Sequence, residues 1–154
     1  MKQKRLNLKG QSMFEVVLAL FIITMITVAV VLLSTKSISN SLFSRSKTQA
    51  SRYSQEAIEW LRDQRETNLD TFSTYTTTPI YCLNSNPPSF ANSGACSSAE
   101  LIPNTIYKRQ VTFETSTISA GITIIAATVV TSWEDSKGYH EVRAVTEFND
   151  IRQE

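Results

Sequence analysis

The sequence predicts an α+β fold in which a long N-terminal helix, apolar in its first half and amphipathic in its second, packs on a small C-terminal antiparallel β-sheet. Three patterns carry this prediction. Eighteen residues without a charge run from Val16 to Leu33. Apolar residues then recur at helical spacing as far as Glu66, with no Pro or Gly to interrupt them. From Tyr107 onward apolar and polar residues alternate, the period of a half-buried strand.

Length leaves room for one soluble domain at most beside a membrane segment, and a hydrophobic content of 42% is ordinary for such a chain. The net charge of +1 hides an asymmetry. Four of the 15 Lys and Arg residues lie in residues 1–10, which hold no acid, leaving 11 basic against 14 acidic residues in the remainder. Direct nucleic-acid binding is therefore disfavoured, because phosphate neutralisation needs a basic face that an acidic body does not supply.

The apolar block is long enough to span a membrane. Gln11 to Leu33 is 23 residues, about 34 Å of helix at ~1.5 Å per residue, against a bilayer core of about 30 Å. A secretory signal would end its apolar stretch after about 7–15 residues and then offer an Ala-x-Ala-like cut site. Ser34, Thr35, Lys36, Ser37 and Ile38 offer none. Lys2, Lys4, Arg5 and Lys9 precede the block and Lys36 alone follows it closely, which predicts a cytoplasmic N-terminus and an exported remainder. One carboxylate, Glu15, stands inside the near edge of the block. An acid placed where lipid is expected is costly, so it is a candidate functional group with a partner to be found. The alternative is a side chain that snorkels to the headgroups from near the helix start, where the helix dipole favours negative charge.

The junction Lys9-Gly10-Gln11-Ser12-Met13-Phe14-Glu15, followed directly by Val16-Val17-Leu18-Ala19-Leu20, resembles the class III leader of type IV prepilins and pseudopilins. In that family a prepilin peptidase in the membrane cuts after the Gly, leaves the hydrophobic segment attached and methylates the new amino terminus. The resemblance makes residues 1–10 the leader peptide, Gly10 its last residue, Gln11 the methylated terminus and Glu15 the fifth mature residue, the family's characteristic acid. Gly at the cut lets catalytic groups approach the backbone, since no Cβ obstructs them. Phe or Met more often stands where this chain has Gln11. Glu15 is then expected to face the free amine of a neighbouring subunit, a strong pairing in an apolar environment where either partner alone is heavily penalised. The partners implied are other pilin or pseudopilin subunits, the peptidase, an inner-membrane assembly platform and, before assembly, membrane lipid.

Residues 11–33 form the transmembrane and assembly half of the helix in this reading, and residues 34–66 its amphipathic half. Ile38, Leu42, Ala50, Tyr53, Ala57 and Leu61 mark the apolar face, widened by Ile58 and Trp60, while Arg45, Lys47, Arg52, Glu59, Asp63 and Glu66 mark the charged one. A single helix from Gln11 to about Glu66 would run roughly 80 Å. This too is the pilin-like architecture that the resemblance implies.

Residues 67–106 read as a connecting loop, rich in Ser, Thr, Asn and Pro. They hold the only cysteines, Cys82 and Cys96. In an exported domain two cysteines usually pair, and a bridge closing a loop of this size stabilises by about 3 kcal/mol. The alternative is two reduced thiols. A metal site lacks further ligands, with one His in the chain.

Residues 107–154 read as the sheet. Tyr107, Arg109, Val111 and Phe113 alternate with Lys108, Gln110, Thr112 and Glu114. Ile122 to Trp133 gives a second strand, Glu134 to Gly138 a turn, and Tyr139 to Phe148 a third strand through Val142, Ala144 and Val145. Three strands in a meander would cover one side of the Tyr53–Leu61 helical face. The hairpin from Trp133 to His140 resembles the last hairpin of minor pilins of the type IV pilus modification kind and of some secretion pseudopilins.

No enzyme is expected. His140 reads as a strand-edge residue, Glu59, Asp63 and Glu66 as a solvated helix face, and Trp60 and Trp133 as packing residues. No glycine cluster suits a phosphate loop, so no cofactor is expected. The resemblance implies a structural subunit of a pilus-like or secretion-like filament. The lack of Pro or Gly from Val16 to Leu33, unlike many major pilins, points to a minor pilin or pseudopilin. The rival reading is a permanently membrane-anchored extracellular binding domain whose N-terminal helix is never cleaved.

Overall fold

The computed structural model describes residues 11–118 and 122–150. The expected leader peptide, residues 1–10 with Gly10, lies outside the described residues. The described chain is α+β: helix α1 (Gln11–Thr67), helix α2 (Leu69–Thr76), then strands β1 (Ile80–Cys82), β2 (Asn92–Ser93), β3 (Lys108–Ile118), β4 (Ile122–Asp135) and β5 (Gly138–Asp150). The chain divides into two compact units, with the boundary inside α1 between Ser44 and Arg45.

In the first unit no described side chain is buried. Ile38 and Leu42, expected on the apolar stripe of the amphipathic half, belong here and are exposed. Periodicity identifies an apolar face of a helix but carries no mark of where its covering surface stops.

In the second unit α1 packs on the sheet through three small residues and the larger Leu61 and Ile58. Ala50, Ser54, Ala57 and Leu61 are fully buried, with Ile58 beside them. Ser54 was not expected on this face. Its hydroxyl donates to the Ala50 carbonyl at 3.2 Å and lies 2.8 Å from the Thr131 hydroxyl, so the polar group is satisfied where helix and sheet meet. Trp60 is half-buried against Phe90, ring centroids 4.7 Å apart, and the charged face stays exposed as its pattern predicts.

The segment expected to be loop throughout contains ordered elements. The Asn68 side chain caps α2 by accepting the Thr71 N–H at 2.9 Å, Asp70 sits in the first turn, and Phe72 and Thr76 face inward one turn apart. Hydroxyls of Ser73, Thr74 and Thr76 return to carbonyls three or four residues back. Thr is a weak helix former, but a good cap and the burial of Phe72 outweigh propensity in eight residues.

The sheet has five antiparallel strands rather than three, in the order β2-β1-β3-β4-β5, because the expected loop also supplies β1 and β2. The alternation across β3 holds: Arg109, Val111 and Phe113 are buried, and Tyr107, just before the strand, is buried with them. In β5, Thr146 and Phe148 point inward, whereas Val145 points out and is 61% exposed. Alternation through both Ala144 and Val145 does not hold, because adjacent strand residues take opposite faces. Glu134 and Asp135, expected in the turn, are the last residues of β4, and the turn is Ser136-Lys137. Gly138 takes a φ of 114°, a left-handed conformation that glycine accepts readily.

The core lies between α1 and the inner sheet face, with Phe72 set edge-on to both Phe113 and Phe148. Phe90 stacks on Tyr75 at 4.4 Å and closes the core beneath the connecting segment.

Candidate assembly site

Large apolar side chains on every side of α1 stand exposed from Met13 through Leu33. The polar residues among them do not break this surface. Thr24 donates to the Phe21 carbonyl, Thr27 to Ile23, Ser34 to Val30 and Thr35 to Val31, all within 3.0 Å. Each hydroxyl is satisfied within its own helix, which suits contact with lipid or with other apolar helices. It is the one helix among the described residues long and apolar enough to cross a membrane.

Glu15 lies on this surface, exposed, one turn from the first helical residue, Gln11. From Val16 to Gln55 the sequence holds no other acid, while Lys36, Arg45, Lys47 and Arg52 are all basic. No ion pair of Glu15 is found among the described residues.

The second unit holds its shape through a buried cation that sequence reasoning placed on the inward face without assigning it a role. Arg109 is 1% exposed. Its Nε donates to the Leu83 carbonyl at 3.0 Å, Nη1 to the Tyr53 carbonyl and the Glu56 carboxylate, each at 3.1 Å, and Nη2 to the Ser85 carbonyl at 3.3 Å. One side chain thereby ties α1, β3 and the segment after β1 together. Burial lowers the affinity of this guanidinium for its proton and Glu56 opposes that shift; arginine stays charged at any physiological pH. The signal available in sequence was a charged residue at an inward position of a strongly alternating strand.

Beside Arg109, the Asn84 side chain accepts the Arg109 backbone N–H at 2.6 Å and donates to the Glu100 carbonyl. Cys82 and Cys96 form a disulfide across 14 residues, next to this arrangement. The bridge ties the end of β1 to the chain just after β2, so it fixes the connecting segment instead of closing a C-terminal loop.

His140 sits on β5 with Nε2 3.0 Å from the Asp135 carboxylate and its ring 5.2 Å from that of Trp133. Trp133 is buried and also meets Tyr107. The Asp135 carboxyl is held below the ordinary carboxylate range, first by the Lys137 N–H and, against a partial opposing effect of burial, by His140. These contacts close the hairpin. Among the described residues no three His, Cys, Asp or Glu side chains cluster to hold a metal ion.

No family model, curated protein or solved structure matches the chain.

Proposed function

We propose that the chain is a structural subunit, a minor pilin or pseudopilin, of a type IV pilus-like or type II secretion-like filament. The observation that carries this reading is the composition of α1. One uninterrupted helix joins an apolar segment with no buried side chain, holding the single acid Glu15, to an amphipathic segment packed on a sheet. A bilayer and a bundle of apolar helices are both suitable surroundings for the first segment. Transfer between them avoids the hydrophobic penalty of exposure to water.

Prepilin peptidase would cut between Gly10 and Gln11, leaving the helix in the cytoplasmic membrane with the second unit outside. The new amine at Gln11 and the Glu15 carboxylate are separated by one turn, ~6 Å of axial rise. A neighbour displaced along the axis by about that distance brings its amine level with Glu15, and the two charges compensate in an apolar bundle. The assembly platform then extracts the subunit from lipid into the filament, where it lies at the cell surface.

Mass spectrometry of the chain purified from its own cells tests the processing step. The expected terminus is a methylated Gln11. An intact Met1 would instead favour the permanently anchored binding domain. That second reading draws on a cleft on the outer sheet face where the exposed side chains of Leu101, Ile106 and Tyr139 converge beside Lys108.

A further inference from the structure

One stripe of exposed charge on α1, flanked by Arg62 and not including Lys47, is ordered by sign. Arg45, Arg52, Glu56, Glu59, Asp63 and Glu66 are all exposed. At about 100° per residue these six fall on one narrow stripe, diametrically opposite the buried stripe of Ala50, Ser54, Ala57 and Leu61. Gln49 completes it, so that positions 45, 49, 52, 56, 59, 63 and 66 follow one another in steps of alternately four and three residues, the spacing of a helix seam. The N-terminal part of the seam is cationic and the C-terminal part is anionic.

Folding of the unit uses part of this charge. Glu56 serves Arg109, and Glu59 lies 2.7 Å from Arg62. Among the described residues no ion pair engages Arg45, Arg52, Asp63 or Glu66. A face that had only to stay solvated would gain from interspersed signs, since oppositely charged neighbours one turn apart stabilise the helix. Segregation by sign suits a contact that sets the cationic part of one seam against the anionic part of another.

We infer that the seam is a docking surface for a second copy of this chain, parallel to the first and shifted along α1 by about two heptads, ~21 Å. This rests on the filament reading, which makes neighbouring helices parallel. With no shift, every charge on the seam meets its own sign. A shift of one heptad sets Arg45 against Arg52, Glu56 against Asp63 and Glu59 against Glu66, with only Arg52 and Glu59 complementary. A shift of two heptads pairs Arg45 with Glu59, Gln49 with Asp63 and Arg52 with Glu66, and opposes no like charges. Among whole-heptad shifts the charge order therefore favours this offset, since three heptads leave only Arg45 facing Glu66. Subunits of a helical filament stand at multiples of one rise, so this neighbour is a farther one than the copy whose amine meets Glu15. Copies of the chain are then close together along the filament instead of occurring singly at a tip.

The test uses the full chain in the cells that make it, with the fraction in sheared filaments measured against the total by immunoblot. Arg52→Glu is expected to lower incorporation roughly fivefold, as is Glu66→Arg, the scale of about one exposed ion pair turned repulsive. Both substitutions in the same chain should restore incorporation to within about twofold, because position 52 of one copy again meets its opposite at position 66 of the next. Arg45→Glu with Glu59→Arg is the second pair and should behave alike. Total accumulation and the Cys82–Cys96 bond, read on a non-reducing gel, identify a variant that fails to fold; the other pair then decides. If single variants of both pairs enter filaments as well as the unaltered chain does, the seam is not a contact and this inference falls while the filament reading stands. If single variants fail and the doubles fail equally, the seam meets a different molecule and self-pairing is overturned. If the unaltered chain is absent from filaments, the filament reading fails and this inference with it.

Discussion

Arg109 donates to three backbone carbonyls and one carboxylate drawn from α1, the segment after β1 and the first turn beyond it. Replacing it with Met removes the donor from all four acceptors. The expected loss is about 3 kcal/mol, chiefly from carbonyls left buried without partners. Glu56→Gln should cost only about 1 kcal/mol or less, since the Glu56 side chain is 47% exposed and the carbonyls still hold the cation. Urea titration of the detergent-solubilised chain measures both, and equal losses would show that the ion pair, not the carbonyl set, holds Arg109. A second residue-scale expectation concerns pH. The Asp135 pKa is depressed in the folded chain, so its contribution to stability is present above the ordinary carboxylate pKa and is lost as pH falls through the depressed value. An NMR titration should place its midpoint below that of an unrestrained aspartate, and His140→Ala should raise it. Alternation placed Arg109 inward, yet its partners come from segments about 25 and 55 residues away, and periodicity is blind to such separations.

Long elements were legible and short ones were not. α1 spans 57 residues and β3, β4 and β5 each exceed ten, so their periods repeat often enough to be read against noise. β1 has three residues and β2 two, too few for alternation to register; β1 exists through pairing to β3, and β2 through pairing to β1. α2 was obscured by its threonines, although Asn68 ahead of Asp70 is a start signal that could have been weighed. If burial of Phe72 is what outweighs propensity there, Phe72→Ala should cost about 3–5 kcal/mol and Asn68→Ala about 1 kcal/mol. Denaturation midpoints of the two variants check the ranking, and a larger effect from Asn68→Ala would reverse the explanation. The position of Ser54 was missed for a different reason. A hydroxyl is assigned to the solvent side unless its acceptor is known, and Thr131 lies 77 residues away.

At the scale of the whole molecule, the chain combines a compact sheet-backed unit with a helix segment that has no cover of its own. Its folded unit accounts for Arg109, the disulfide and the aromatic core; it does not account for the apolar surface from Met13 to Leu33 or for the acid set into it. Sequence displayed that segment as plainly as the structure does, because composition alone defines it, whereas a partner molecule leaves no trace in the periodicity of one chain. In the proposed filament this surface would gain a second apolar environment and Glu15 a cation. The most direct measurement is incorporation of Glu15→Gln into sheared filaments, with the membrane-bound pool quantified alongside. Neutral Gln keeps the size of the side chain but leaves the neighbouring amine uncompensated, so incorporation should fall roughly tenfold or more while the membrane pool persists. Filaments that take up Glu15→Gln as readily as the unaltered chain would contradict the account.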